Sequence, residues 1–136
     1  MSVRLPNWEL VLANYLNECQ AKPFEWGQHD CCLFAANAVL AFTGQDYAAA
    51  FRGRYSTELG AARALKRYGA GTLKQTLLRV LGEPVPLLQV SRGDVLLVTV
   101  DGRDSAAVFY QGAWAVSLQG LIPVLMQDVQ LAWRVC

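Results

Sequence analysis

Apolar residues recur at helical spacing through the first half of the chain, whereas the last third breaks into short β-branched and aromatic runs. A first helix is predicted from Trp8 to about Cys19, with Trp8, Val11, Leu12, Tyr15 and Leu16 on one face and Asn7 placed to cap it. Pro23 marks Ala21 to Gly27 as a loop. Asp30 then occupies an N-cap position ahead of an almost wholly apolar run, Cys31 to Phe42, which stops at Gly44. A helix apolar on every side belongs at the centre of a fold. A third helix opens at Ser56 or Thr57 and stops at Gly69, with Glu58 in its first turn and Lys66 and Arg67 in its last, as the helix dipole favours. A fourth opens on the capping box Thr72-Leu73-Lys74-Gln75 and ends near Gly82.

Beyond Pro84 and Pro86 the period changes. Val95 to Val100, Ala106 to Tyr110, Ala113 to Leu118, Leu121 to Val124 and Leu131 to Val135 read as strands, separated by turn signals at Asp101-Gly102, Gln111-Gly112 and Gly120. Helices followed by an antiparallel meander define an α+β domain. A length of 136 residues suits a single domain over 1–136, and no linker or repeat divides it.

With 54% hydrophobic and 17% charged residues, the chain can bury a core. Its longest apolar run, Cys31 to Phe42, is too short for a membrane span. Met1 to Pro6 lacks the apolar stretch of a secretory signal, so synthesis and folding in the cytosol are expected. The net charge of +1 argues against nucleic acid as a general partner. That average hides a local charge of +6. Arg52, Arg54, Arg63, Lys66, Arg67, Lys74 and Arg79 face Glu58 alone, while the rest of the chain holds 5 basic and 10 acidic residues. Such a segment is either the solvated outside of two helices or a surface for an acidic partner.

The cysteines are Cys19, Cys31, Cys32 and Cys136, without a repeated C-x-x-C spacing, and one histidine accompanies them. Neither a disulfide framework nor a zinc site is expected, and no cofactor is implied. A nucleophile is the remaining use. In Trp26-Gly27-Gln28-His29-Asp30-Cys31-Cys32, a cysteine at a helix start gains from the dipole and from unpaired backbone N–H groups, which favour its thiolate and could hold an oxyanion. Gly27 would let a substrate chain approach closely. Cys31 and Cys32 lie about 100° apart around a helix, so only one faces a cleft. Trp8, Trp26, Trp114 and Trp133 are either packing residues or platforms for sugars. Arg54 either reaches a partner's anion or covers the end of the central helix.

The run Trp-Gly-x-His-Asp-Cys-Cys-Leu-Phe-Ala-Ala resembles the nucleophile motif of the NlpC-type branch of papain-like cysteine peptidases, and Arg92-Gly93-Asp94-Val95-Leu96-Leu97-Val98 resembles its strand-opening G-D motif. Together with Gly53-Arg54-Tyr55-x-Thr57, Gly120-Leu121 and Ala132-Trp133-Arg134, the pattern is similar to a small family of phage and prophage proteins usually found beside tail-tip genes. The resemblance covers roughly Phe24 to Arg134. It implies a papain-like fold in which a central Cys-bearing helix packs on a C-terminal antiparallel sheet or small barrel, with Cys31 as nucleophile.

The family's general-base histidine would fall near Ser105 or Ala106, where no histidine stands. The group that orients it would lie among Trp114, Val116 and Ser117, of which only Ser117 is polar. His29, two residues ahead of Cys31, is either a local hydrogen-bonding loop residue or a substitute base, and Asp30 is either a cap or an acid. Two functions follow from the resemblance. One is a structural tail-tip or baseplate component docking on hub proteins, assembled in the host cytoplasm and carried in the virion. The other is a peptidase or amidase that cuts peptidoglycan with Cys31.

Overall fold

The computed structural model describes residues 4–135, so Cys136 lies outside the described residues. Among these, the helices α1 (Trp8–Cys19), α2 (Phe34–Thr43), α3 (Glu58–Tyr68) and α4 (Leu73–Leu81) precede the strands β1 (Val95–Val100), β2 (Arg103–Phe109), β3 (Ala113–Ser117), β4 (Gly120–Val124) and β5 (Val129–Trp133). The domain is therefore α+β, as the change of period predicts. Thr57 and Thr72 cap α3 and α4 by accepting from the Gly60 and Gln75 N–H groups. Asn7 precedes α1 without making a side-chain capping bond. Gly44 ends α2 in the left-handed conformation, at φ 81°.

All strand pairs are antiparallel, in the order β4-β3-β2-β1-β5. The first four form the meander, and β5 returns to pair with β1. The sheet stays open, with β4 and β5 as its edges, rather than closing into a small barrel. Val95, Leu97, Ala106, Val108, Val116 and Trp133 face the helices and share one core with α2, whose Phe34, Ala35, Ala38 and Phe42 are buried. Leu96, Val98, Ala107, Ala115 and Ala132 point the other way into a second core, closed by Val85, Val90, Ile122 and Val124. Two cores explain why β1 is apolar on both faces instead of alternating.

The central helix begins later than its apolar run. Cys31 to Leu33 form a turn, and α2 starts at Phe34. The cause is Asp30, whose carboxylate Oδ1 accepts from the Cys32 and Leu33 N–H groups, both at 2.9 Å, while its carbonyl accepts from Phe34 at 3.0 Å. Asp30 is thus a cap, displaced one turn outward from the regular helix. Among the described residues no helix is long and apolar enough to cross a membrane.

Candidate functional site

The pairing of β2 with β3 covers only Val108↔Trp114 and Phe109↔Ala113, and beyond it the strands part. The Cys31–Leu33 turn sits at that parting. Instead of bonding to β3, the Ala106 N–H donates to the Cys31 carbonyl at 2.8 Å. Continuing the β2–β3 register would set Ser105 opposite Ser117. Both of these residues, with Cys31, line a cavity of about 50 Å³. Phe24, Val100, Val116 and Leu118 supply its apolar walls, and Asp101 and Arg103 are its ionisable residues. The space suits a few water-sized groups and not a peptide chain.

Within it, Cys31 is 9% exposed and Ser105 is 1% exposed. The Ser105 Oγ is buried without a hydrogen-bond partner. Ser117 is occupied otherwise: its hydroxyl donates to the Gly120 carbonyl at 3.1 Å and accepts from the Gln119 N–H. A hydrogen bond from the Cys32 thiol lowers the Cys31 thiol's pKa, helped by the Arg103 charge, while burial and Asp30 oppose the change. Cys32 moves the other way, because its proton is engaged with Cys31 and because it is buried. One thiol of the pair is thereby prepared to ionise at the expense of the other.

Backbone N–H groups are less available than a bare helix start suggests. Those of Cys32 and Leu33 are taken by Asp30. The same carboxylate accepts from the Gly27 N–H at 2.8 Å and the Tyr55 hydroxyl at 2.6 Å, so its four donors come from three segments of chain. Gly27 serves this packing rather than a substrate. It sits at φ +87°, and a Cβ there would overlap the Tyr55 carbonyl oxygen.

His29 does not share the Cys31 cavity. It is 2% exposed, its ring is set edge-on to Phe34, and neither nitrogen has a partner. It lines a separate hollow of about 470 Å³ with Lys22, Pro23, Glu25, Gln28, Asn37 and Arg52. Burial and the Lys22 charge lower its pKa, so the neutral imidazole is favoured there.

The other motif residues find structural partners. Asp94, fully buried at the start of β1, accepts from the Arg134 Nε at 2.9 Å and the Ser91 N–H at 2.9 Å, and lies 4.0 Å from the Arg4 guanidinium. Arg54 lies at the end of α3 rather than of the central helix. Its guanidinium lies over the Tyr68 ring, 4.8 Å from the centroid. Trp133 is buried and donates to the Gly82 carbonyl, while Trp8, Trp26 and Trp114 pack against the first core. Sequence reasoning overlooked the Ser105 orphan hydroxyl and the Asp30–Tyr55 bond. No local signal marked the first, since Ser105 follows Arg103 and Asp104 in what reads as a polar turn. Among the described residues no group of three or more His, Cys, Asp or Glu side chains gathers to hold a metal ion.

The site is therefore a vicinal thiol pair at the entrance to a buried helix, facing hydroxyl groups across a split in an antiparallel sheet. The chain belongs to the family described as a domain of unknown function (DUF6950), whose model matches residues 3–135. No curated protein matches it.

Proposed function

We propose that this chain is a structural component of a phage tail tip or baseplate, built on an NlpC-type papain-like fold whose hydrolytic centre has lapsed. It docks on hub proteins, assembles in the host cytoplasm and travels in the virion. The reading rests on the resemblance of the Asp-Cys-Cys and Gly-Asp motifs, on the order of a cysteine-bearing helix before an antiparallel sheet, and on the chemistry around Cys31. The observation that carries it is the company of the sulfur: Ser105 and Ser117 share its cavity, and a hydroxyl does not take up a proton at neutral pH as a general base must.

A peptidoglycan peptidase or amidase using Cys31 is the second reading, favoured by the Cys32 hydrogen bond that eases Cys31 toward its thiolate. The two separate in one comparison. Purified wild type and Cys31→Ala are incubated with peptidoglycan sacculi, and the same variant is carried into virions. The structural reading expects no released muropeptides from either protein, the chain present in purified particles, and normal infection by the variant. Digestion by the wild type that disappears in Cys31→Ala would replace it with the enzymatic one. Particles that lack the chain and tails that assemble without it would refute the structural role.

A further inference from the structure

The Ser105 hydroxyl raises a question that neither reading answers. A buried hydroxyl without a partner is destabilising, and such groups persist in folded proteins where something else uses them. Ser105 lies 1% exposed in a cavity with a single reactive atom, the Cys31 sulfur. The cavity is reached past Leu118 and Arg103, both exposed at its edge. A visitor must therefore be only a few atoms large, polar enough to bond a hydroxyl, and able to react with a thiolate.

We infer that Cys31 is a modification site for small peroxides, whose sulfur is oxidised to a sulfenic acid while the Ser105 hydroxyl bonds the departing oxygen. Hydrogen peroxide fits the size and polarity. The thiolate attacks one peroxide oxygen, an S–O bond forms as the O–O bond breaks, and hydroxide leaves and collects a solvent proton to become water. The sulfur loses two electrons and the peroxide gains them. The Arg103 guanidinium and the Cys32 thiol both favour negative charge on the attacking sulfur.

The sulfenic acid persists, because the peptide between the cysteines resists the twist that condensation with the neighbouring Cys32 thiol needs. The peptide joining the two cysteines is held at both polar atoms, its carbonyl by the Ala106 N–H at 2.8 Å and its N–H by Asp30 at 2.9 Å. Neighbouring Cα atoms are about 3.8 Å apart, below the roughly 4.4–6.8 Å that disulfides span, so ring closure would have to twist that peptide out of its hydrogen bonds.

The test treats the folded full-length protein with hydrogen peroxide, quenches the peroxide, then unfolds the protein in dimedone, which traps the sulfenic acids already formed, and maps the adducts by peptide mass spectrometry. Labelling of Cys31 at least tenfold faster than of Cys19 or Cys32 is expected. So is a preference for hydrogen peroxide over bulky cumene hydroperoxide. Ser105→Ala should slow labelling by about fivefold, the factor carried by one ordinary hydrogen bond, while leaving the melting temperature unchanged or higher. Labelling at Cys31 no faster than at unfolded protein would overturn the inference, as would a Ser105→Ala rate equal to wild type. A two-hydrogen mass loss joining Cys31 to Cys32 without any trapped adduct would overturn it as well.

Discussion

Histidine at position 29 illustrates how a side chain two residues from a candidate nucleophile in the sequence can line a different hollow in the fold. Its ring is enclosed beside Phe34 with neither nitrogen bonded, and burial holds its pKa below the usual histidine value. The unfolded chain, with an ordinary imidazole, then takes up a proton at a higher pH than the folded one. Stability is complete above about pH 6.5 and falls as the pH drops through and below that value, because the proton uptake favours the unfolded state. It is the only histidine in the chain, so no second imidazole contributes between pH 7 and 5. Urea midpoints measured across this range should decline for wild type and stay nearly level for His29→Leu. At pH 7.5 the two should agree within about 1 kcal/mol, since the substitution removes polar atoms that bond to nothing. A similar lesson holds at Gly27, where the backbone conformation and the Tyr55 carbonyl both exclude a side chain. Gly27→Ala should lose about 3 kcal/mol by denaturant unfolding, with Asp30 and its four donors displaced together.

Elements were the most legible level. Among the described residues the four α-helices and five strands follow from apolar spacing and turn glycines, and the Thr57 and Thr72 caps, unlike Asn7, sit where the pattern puts them. Boundaries slipped where a polar side chain overrode periodicity. The central helix starts three residues late because Asp30 spends its carboxylate on the preceding turn. β2 begins early, at Arg103, since Arg103 and Asp104 pair with Val100 and Thr99 despite their polarity. Contacts across long separations were not legible at all. Nothing local says that Asp94 meets Arg134 across 40 residues, or that Asp30 meets Tyr55 across 25. The Asp94–Arg134 pair ties the start of β1 to the residue after β5, and Arg134 also donates to the Gln89 carbonyl. Asp94→Ala would leave the partly exposed Arg134 and the Ser91 N–H without their shared acceptor, and a loss of about 1–3 kcal/mol is expected in chemical denaturation. Replacing both partners by apolar residues of similar size, as in Asp94→Leu with Arg134→Met, should recover most of it. Equal losses in the single and double variants would show that the charges themselves, and not their pairing, hold the strand ends.

For the whole molecule, the decisive property is the uneven distribution of charge over a nearly neutral chain. Part of the basic excess is spent internally: Arg52 is paired with Asp46 at 2.7 Å, Arg79 donates to the Gly69 carbonyl, and Arg54 and Arg67 lie over Tyr68. Arg63, Lys66 and Lys74 are exposed on α3 and α4, whose Ala61, Ala64, Leu65, Leu73 and Leu77 face inward. These three charges can change without disturbing the core, which allows folding and docking to be separated. If the proposed structural role draws on this surface, reversing Arg63, Lys66 and Lys74 to Glu should shift unfolding by no more than about 0.5 kcal/mol per site. Incorporation into particles, measured by quantitative mass spectrometry of purified virions, should fall at least tenfold. Wild-type chain bound to isolated hub protein should also dissociate as ionic strength rises from 0.05 to about 0.5 M, over which the screening length shortens several-fold. Undiminished incorporation of the triple variant would move the docking surface elsewhere on the molecule, and salt-independent retention of the wild type would point to an apolar contact in its place.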